Sequence, residues 1–149
     1  MFLKIRKGEN GRSMIEMLGV LAIIGVLSVG GIYGYTIAMR KYRANEIVQT
    51  ASMLATLARS GNAGEGKCMV LSSSGLETSP AGVPVYMKAT EADPSVVTIT
   101  VASTYGSDAE ITALCNAVTS IAPKSGNATG AGYYVSSCAK GSDQSCSST

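Results

Sequence analysis

One hundred and forty-nine residues with a formal net charge of +2 make room for one domain, not two. The chain has no His and no Trp, a single Phe, and only 15% charged residues, so the commonest acid–base residue near neutral pH and the commonest nitrogen ligand of zinc are both missing. The charge is segregated: residues 1–11 carry +2, residues 12–59 carry +3 and residues 60–149 carry −3, which suggests no basic groove of the kind that tracks nucleic acid.

The chain opens on a short polar leader, residues 1–11, which holds Lys4, Arg6 and Lys7 and ends in Gly11. From Met17 to Met39 there follow 23 residues without a charge, bounded by Glu16 and Arg40. As a helix this run is about 35 Å long at ~1.5 Å per residue, enough for a hydrocarbon core of about 30 Å. Tyr33, Tyr35 and Tyr42 stand beside Arg40, Lys41 and Arg43, as in an interfacial belt. A secretory h-region is shorter, roughly 7–15 residues, and Ile37-Ala38-Met39 is a poor cleavage site. The segment is therefore expected to stay on the mature chain as a transmembrane helix, with the basic residues favouring a cytoplasmic N-terminus by a small margin.

Helical periodicity continues past the run. Ile47, Ala51, Leu54 and Ala58 recur on one face, widened by Val48, Ala55 and Leu57. The breakers of residues 60–66 stop it. One helix from Ser13 to Arg59 would reach about 70 Å, too long to lie inside a domain built from the remaining residues. Its first half must be covered by lipid or by other copies of itself. Period two then takes over. Val83, Val85 and Met87 alternate, with Pro84 marking an edge strand or a strand start. Val97, Ile99 and Val101 alternate with Thr98 and Thr100 in the strongest strand signal of the chain. Ser107-Asp108-Ala109-Glu110 fits a capping box. The helix it opens places Ile111, Leu114, Cys115, Val118 and Ile121 on one face and ends before Pro123. Residues 132–136 read as a last strand, and Ser137 to Thr149 as a Ser-rich loop.

Cys68, Cys115, Cys138 and Cys146 all follow the span, and none has C-x-x-C spacing. An even count beyond a membrane span reads as two disulfides in an oxidising compartment, which places residues 61–149 outside the cytoplasm. Three pairings are open. The short local loop Cys138–Cys146 is favoured, leaving Cys68–Cys115. No metal, cofactor or enzymatic activity is expected. Glu91, Asp93 and Asp108 read as solvated loop acids, and neither a His-based nucleophile–base pair nor a phosphate loop is visible. Asn127-Ala128-Thr129 matches a glycosylation acceptor pattern that recurs by chance.

Gly11, a carboxylate five residues beyond it and the apolar run after that resemble a type IV prepilin. Over residues 8–45, and above all in Gly11-Arg12-Ser13-Met14-Ile15-Glu16-Met17-Leu18-Gly19-Val20-Leu21, the chain looks like the type IVb-like major pilins of the PilS kind. The resemblance implies that prepilin peptidase, a membrane aspartic peptidase, cuts between Gly11 and Arg12 and methylates the new amino group of Arg12. Gly11 has no side chain to hinder that approach. Physics singles out Glu16 independently: a carboxylate deep in a bilayer costs on the order of 3 kcal/mol, so such groups are usually paired and functional. The resemblance gives it a role in assembly, meeting the terminal amine of a neighbouring subunit. Arg12 stands where Phe or Met is usual, and its i, i+4 spacing also lets it pair with Glu16 within one chain. Among the glycines of the span, Gly30-x-x-x-Gly34 permits close helix–helix approach. The resemblance also implies a stretch of this helix that melts in the filament, usually near a Pro and a Gly; the span has no Pro, so Gly25, Gly30, Gly31 and Gly34 are the candidate weak points.

The expected fold is α+β: a leader (1–11), a long N-terminal helix (12–60) with its transmembrane segment at about 17–39, and a head (61–149) in which the helix packs on a small antiparallel sheet. The implied function is the structural subunit of a type IV pilus, a homopolymer used for adhesion, aggregation, motility or conjugation. Its implied partners are the peptidase, the inner-membrane assembly machinery and, before assembly, membrane lipid, with no nucleic acid bound directly. Its implied location is the inner membrane with the head in the periplasm, then the extracellular pilus. The alternatives are a minor pilin or type II secretion pseudopilin, and a single-pass membrane-anchored binding domain that never polymerises.

Overall fold

The computed structural model describes residues 9–62, 68–89, 93, 95–124 and 132–142, with side chains in the first stretch from 13 to 60. Helix α1 runs from Glu9 to Leu57, uninterrupted because no Pro falls within it. A turn of π-helix, Ala58–Asn62, ends it at the expected breakers. The chain divides into two compact units, one up to Ala38 and one from Met39 onward.

In the second unit α1 contributes a buried stripe. Ala44, Ile47, Val48, Ala51, Leu54, Ala55 and Ala58 join the core, as their spacing predicts. They pack with a four-stranded sheet whose order follows the chain: β1 (Met69–Val70), β2 (Val85–Ala89), β3 (Val96–Ala102) and β4 (Tyr134–Gly141). Val85, Met87 and Ala89 are buried and alternate with half-buried Tyr86 and Lys88. Val97, Ile99 and Val101 supply the matching face of β3, each fully buried. Pro84 marks a strand start rather than an edge: β2 lies between β1 and β3, and the Pro84 carbonyl accepts from Ala102 N at 3.0 Å.

Helix α2, Asp108–Ile121, follows β3 and opens on the expected capping box. The Ser107 hydroxyl accepts from Glu110 N, and the Glu110 carboxylate accepts from Ser107 N at 2.8 Å. Its buried face is Ile111, Leu114, Cys115 and Val118. Ile121 departs from that face and is 42% exposed.

The sheet is mixed, not wholly antiparallel. β1–β2 and β2–β3 are antiparallel, but β3 and β4 run parallel. The cause is α2, which carries the chain back along the sheet, so that the next strand enters from the end at which β3 began. β4 also extends beyond Ser136, and residues 137–141, expected in a loop, complete it. A bulge hides this in the sequence. The register passes from Val97 opposite Val135 to Thr98 opposite Ser137, skipping Ser136 and breaking the alternation. Glycine is required at two places here. Gly132 has φ +74, and a Cβ at Gly141 would stand 2.4 Å from Thr100 Cγ2.

Candidate functional site

The two halves of α1 differ in what their apolar residues touch. From Met14 to Ile32 the large apolar side chains expose 53–74% of their surface. From Ala44 to Ala58 the stripe is buried. Moving a dozen half-exposed aliphatic side chains out of water is worth on the order of 10–20 kcal/mol, comparable with the whole stability of a small domain. That surface favours burial outside this chain, in lipid or against other helices. The helix is long and apolar enough to cross a membrane, and none of its most apolar window is buried within the chain. Its polar side chains are compatible with lipid: Ser28 donates to the Ile24 carbonyl and Thr36 to the Tyr33 carbonyl, both at 2.8 Å.

Gly11 and Arg12 lie in the helical backbone of the first turns of α1, which begins at Glu9. The bond between them is thus in a segment whose N–H groups lack helical partners and which unwinds most easily. Glu16 is exposed one turn further on. Gly19, Gly25, Gly30, Gly31 and Gly34 have open space around them, for a Cβ at any of the five would meet nothing within 4 Å. No packing in this chain requires them to be glycine. Gly19, Gly30 and Gly34 fall within about 60° of one another around the helix at ~100° per residue, and Glu16 lies on the same stripe.

The cysteines pair differently from expectation. Cys115 on α2 is bonded to Cys138 on β4, with 5.4 Å between their Cα atoms. This excludes both Cys138–Cys146 and Cys68–Cys115. The reason is the parallel crossover, which lays α2 against β4 and brings Cys115 over the strand. Cys68 is also disulfide-bonded, and Cys146 lies outside the described residues.

Other sequence candidates are structurally accounted for. Asp93 accepts from both the N–H and the hydroxyl of Ser95, which holds its carboxyl below the usual range. Asp108 pairs with Lys140 across α2 and β4. Glu91 and Asn127-Ala128-Thr129 lie outside the described residues. Among the described residues, no three of His, Cys, Asp and Glu converge as metal ligands would.

Two contacts escape local sequence reading because their partners are distant. The Tyr133 hydroxyl donates to the Val48 carbonyl of α1 at 3.3 Å, and burial pushes its pKa up. Arg43 donates through Nη1 to the Tyr105 hydroxyl at 2.8 Å, with its guanidinium 5.8 Å from that ring's centre. No family model, curated protein or solved structure matches the chain.

Proposed function

We propose that this chain is the structural subunit of a type IV pilus, made as a prepilin, held in the inner membrane by the first half of α1, and polymerised into a surface filament. The observation that carries the reading is the contrast along α1. One continuous helix supplies the core of an α+β head with its second half, while its first half presents apolar residues on every side and five glycines that nothing in the chain packs against. A plain membrane anchor accounts for the apolar surface. It gives no role to Gly11, to the carboxylate at Glu16 or to the alignment of Glu16 with Gly19, Gly30 and Gly34.

In this reading prepilin peptidase cuts after Gly11 and methylates Arg12, and lipid covers the helix until neighbouring helices replace it. Glu16 then meets the terminal amine of the next subunit, a pairing that offsets desolvation of both charges only once the partner is in register. Gly11→Val is expected to leave the leader attached and the subunit in the inner membrane. Intact-mass measurement of the cell-surface protein should give a chain beginning at Arg12. A chain beginning at Met1, or cut beyond residue 30, rules the reading out. Electron microscopy of surface filaments, with mass spectrometry of their principal subunit, separates a major pilin from a minor pilin, a pseudopilin or a monomeric anchored domain.

A further inference from the structure

Residues 40–43 encircle α1 immediately after the uncharged run, since four successive helical positions point about 100° apart. Ala44, the next residue, is already in the core. β3 and β4 both finish at this end of the head: Ala102 pairs with Gly141, and Tyr105 just beyond β3 meets Arg43. The carboxylates here have partners of their own. Asp108 is paired with Lys140, and Glu110 is held by the Ser107 N–H and hydroxyl while also feeling, more weakly, the charges of Arg40 and Arg43. Arg40 and Lys41 are exposed, and among the described residues neither has an ion-pair partner. Arg43 is half-buried, and its Nε is enclosed without a hydrogen-bond acceptor. Tyr105, which accepts from Arg43, keeps its own O–H to donate.

Three basic residues beyond a span whose N-terminus is cytoplasmic also run against the usual charge bias of membrane proteins, so orientation alone does not explain them. We propose that Arg40, Lys41, Arg43 and the Tyr105 hydroxyl form a collar that binds the phosphates of anionic phospholipid headgroups around the helix, in the leaflet on the head's side of the membrane. The collar would hold the head at that surface while the subunit awaits assembly. The inference rests on the membrane reading of α1 and adds a lipid class to it. A second copy is the weaker occupant, because the carboxylates it would bring at this same end are already engaged.

The chain has no Trp, so Tyr42→Trp, at a position 54% exposed within the ring, gives a unique fluorescent reporter. The full-length chain is reconstituted into vesicles of phosphatidylcholine and phosphatidylglycerol, with one or the other lipid carrying brominated acyl chains. Each basic residue near an anionic surface contributes on the order of fivefold in binding. At a mole fraction of a few per cent, brominated phosphatidylglycerol is therefore expected to quench the reporter severalfold beyond that fraction. Arg40→Gln with Lys41→Gln should bring quenching to the mole fraction, while Lys41→Arg should keep the preference. Equal quenching by the two lipids, or a preference that survives the double substitution, overturns the collar and leaves the span intact. No quenching by either lipid overturns the span itself. Quenching that disappears as the subunit-to-lipid ratio rises makes a second copy the occupant and also overturns the proposal.

Discussion

Glu16 stands one residue before the uncharged run, exposed on the stripe that also carries Gly19, Gly30 and Gly34. If it serves only as an anchor, Glu16→Gln should be mild, because the change removes a charge cost at the membrane edge. If it sets register in a filament, the same change should leave cleavage and head folding intact and abolish filaments, counted by electron microscopy at equal subunit levels. Arg12→Phe is the control, since it removes a partner available within the chain and keeps the terminal amine; filaments should persist. Within the head, the capping box makes a separate test. Acceptance of the Ser107 N–H and then its hydroxyl holds the Glu110 carboxyl below its usual value of 4.5. A folded-state value below the unfolded one gives stability that is complete above about pH 4.5 and is lost as the pH falls through the folded value. Urea unfolding of the solubilised chain should show this acid-side loss, and Glu110→Gln should shrink it without removing it, because Asp93 is lowered in the same way by Ser95. Ser107→Ala should cost about 1 kcal/mol at neutral pH. The Ser107–Glu110 box was legible in the sequence because its two partners are three residues apart. The Arg43–Tyr105 contact was not, because its partners are 62 residues apart and nothing local marks either one.

Among the elements, α1, α2, β2 and β3 follow directly from periodicity and caps. β1 is two residues long, too short to carry a period. β4 is longer than its pattern, because the bulge at Ser136 reverses which residues face the core. The parallel crossover that α2 creates is a long-range choice, and with it goes the disulfide that short spacing misassigned. Cys115–Cys138 closes a loop with a sequence separation of 23, worth roughly 3–4 kcal/mol by chain entropy. Cys115→Ser with Cys138→Ser should lower head stability by that order. A non-reducing peptide map of the wild type should contain a Cys115–Cys138 cross-link, and a Cys138–Cys146 cross-link in its place would contradict the fold. Gly34→Leu tests the exposed glycines. The new side chain meets nothing within the chain, so insertion and head folding should be unchanged, while filament yield should fall severalfold if another helix packs there. Unchanged yield would assign the glycines to ordinary membrane-helix composition.

At the scale of the whole molecule, each unit taken alone obeys a different solvent. The residues from Met39 onward bury an apolar core and leave a polar surface, as a water-soluble head does. The segment up to Ala38 buries almost nothing. That division was plain in the sequence from the 23 uncharged residues alone, because a run of that length has no place in a small head. What was not plain is how the second half of α1 is fastened. Its buried stripe could be predicted, but the hydroxyl of Tyr133 bonded to the Val48 carbonyl could not, since that contact depends on where β4 begins. The Cys115–Cys138 bond has one more consequence, which concerns load rather than stability. If the proposed function holds and the subunit bears tension in a filament, the pulled chain lengthens by paying out its residues. The bond short-circuits the 23 peptide units between the two cysteines. At about 3.3–3.6 Å per residue some 80 Å of chain is thereby withheld from extension. A head that begins to give way under tension stops short by that length and keeps β4 tied to α2, so that it can close again when the load is released.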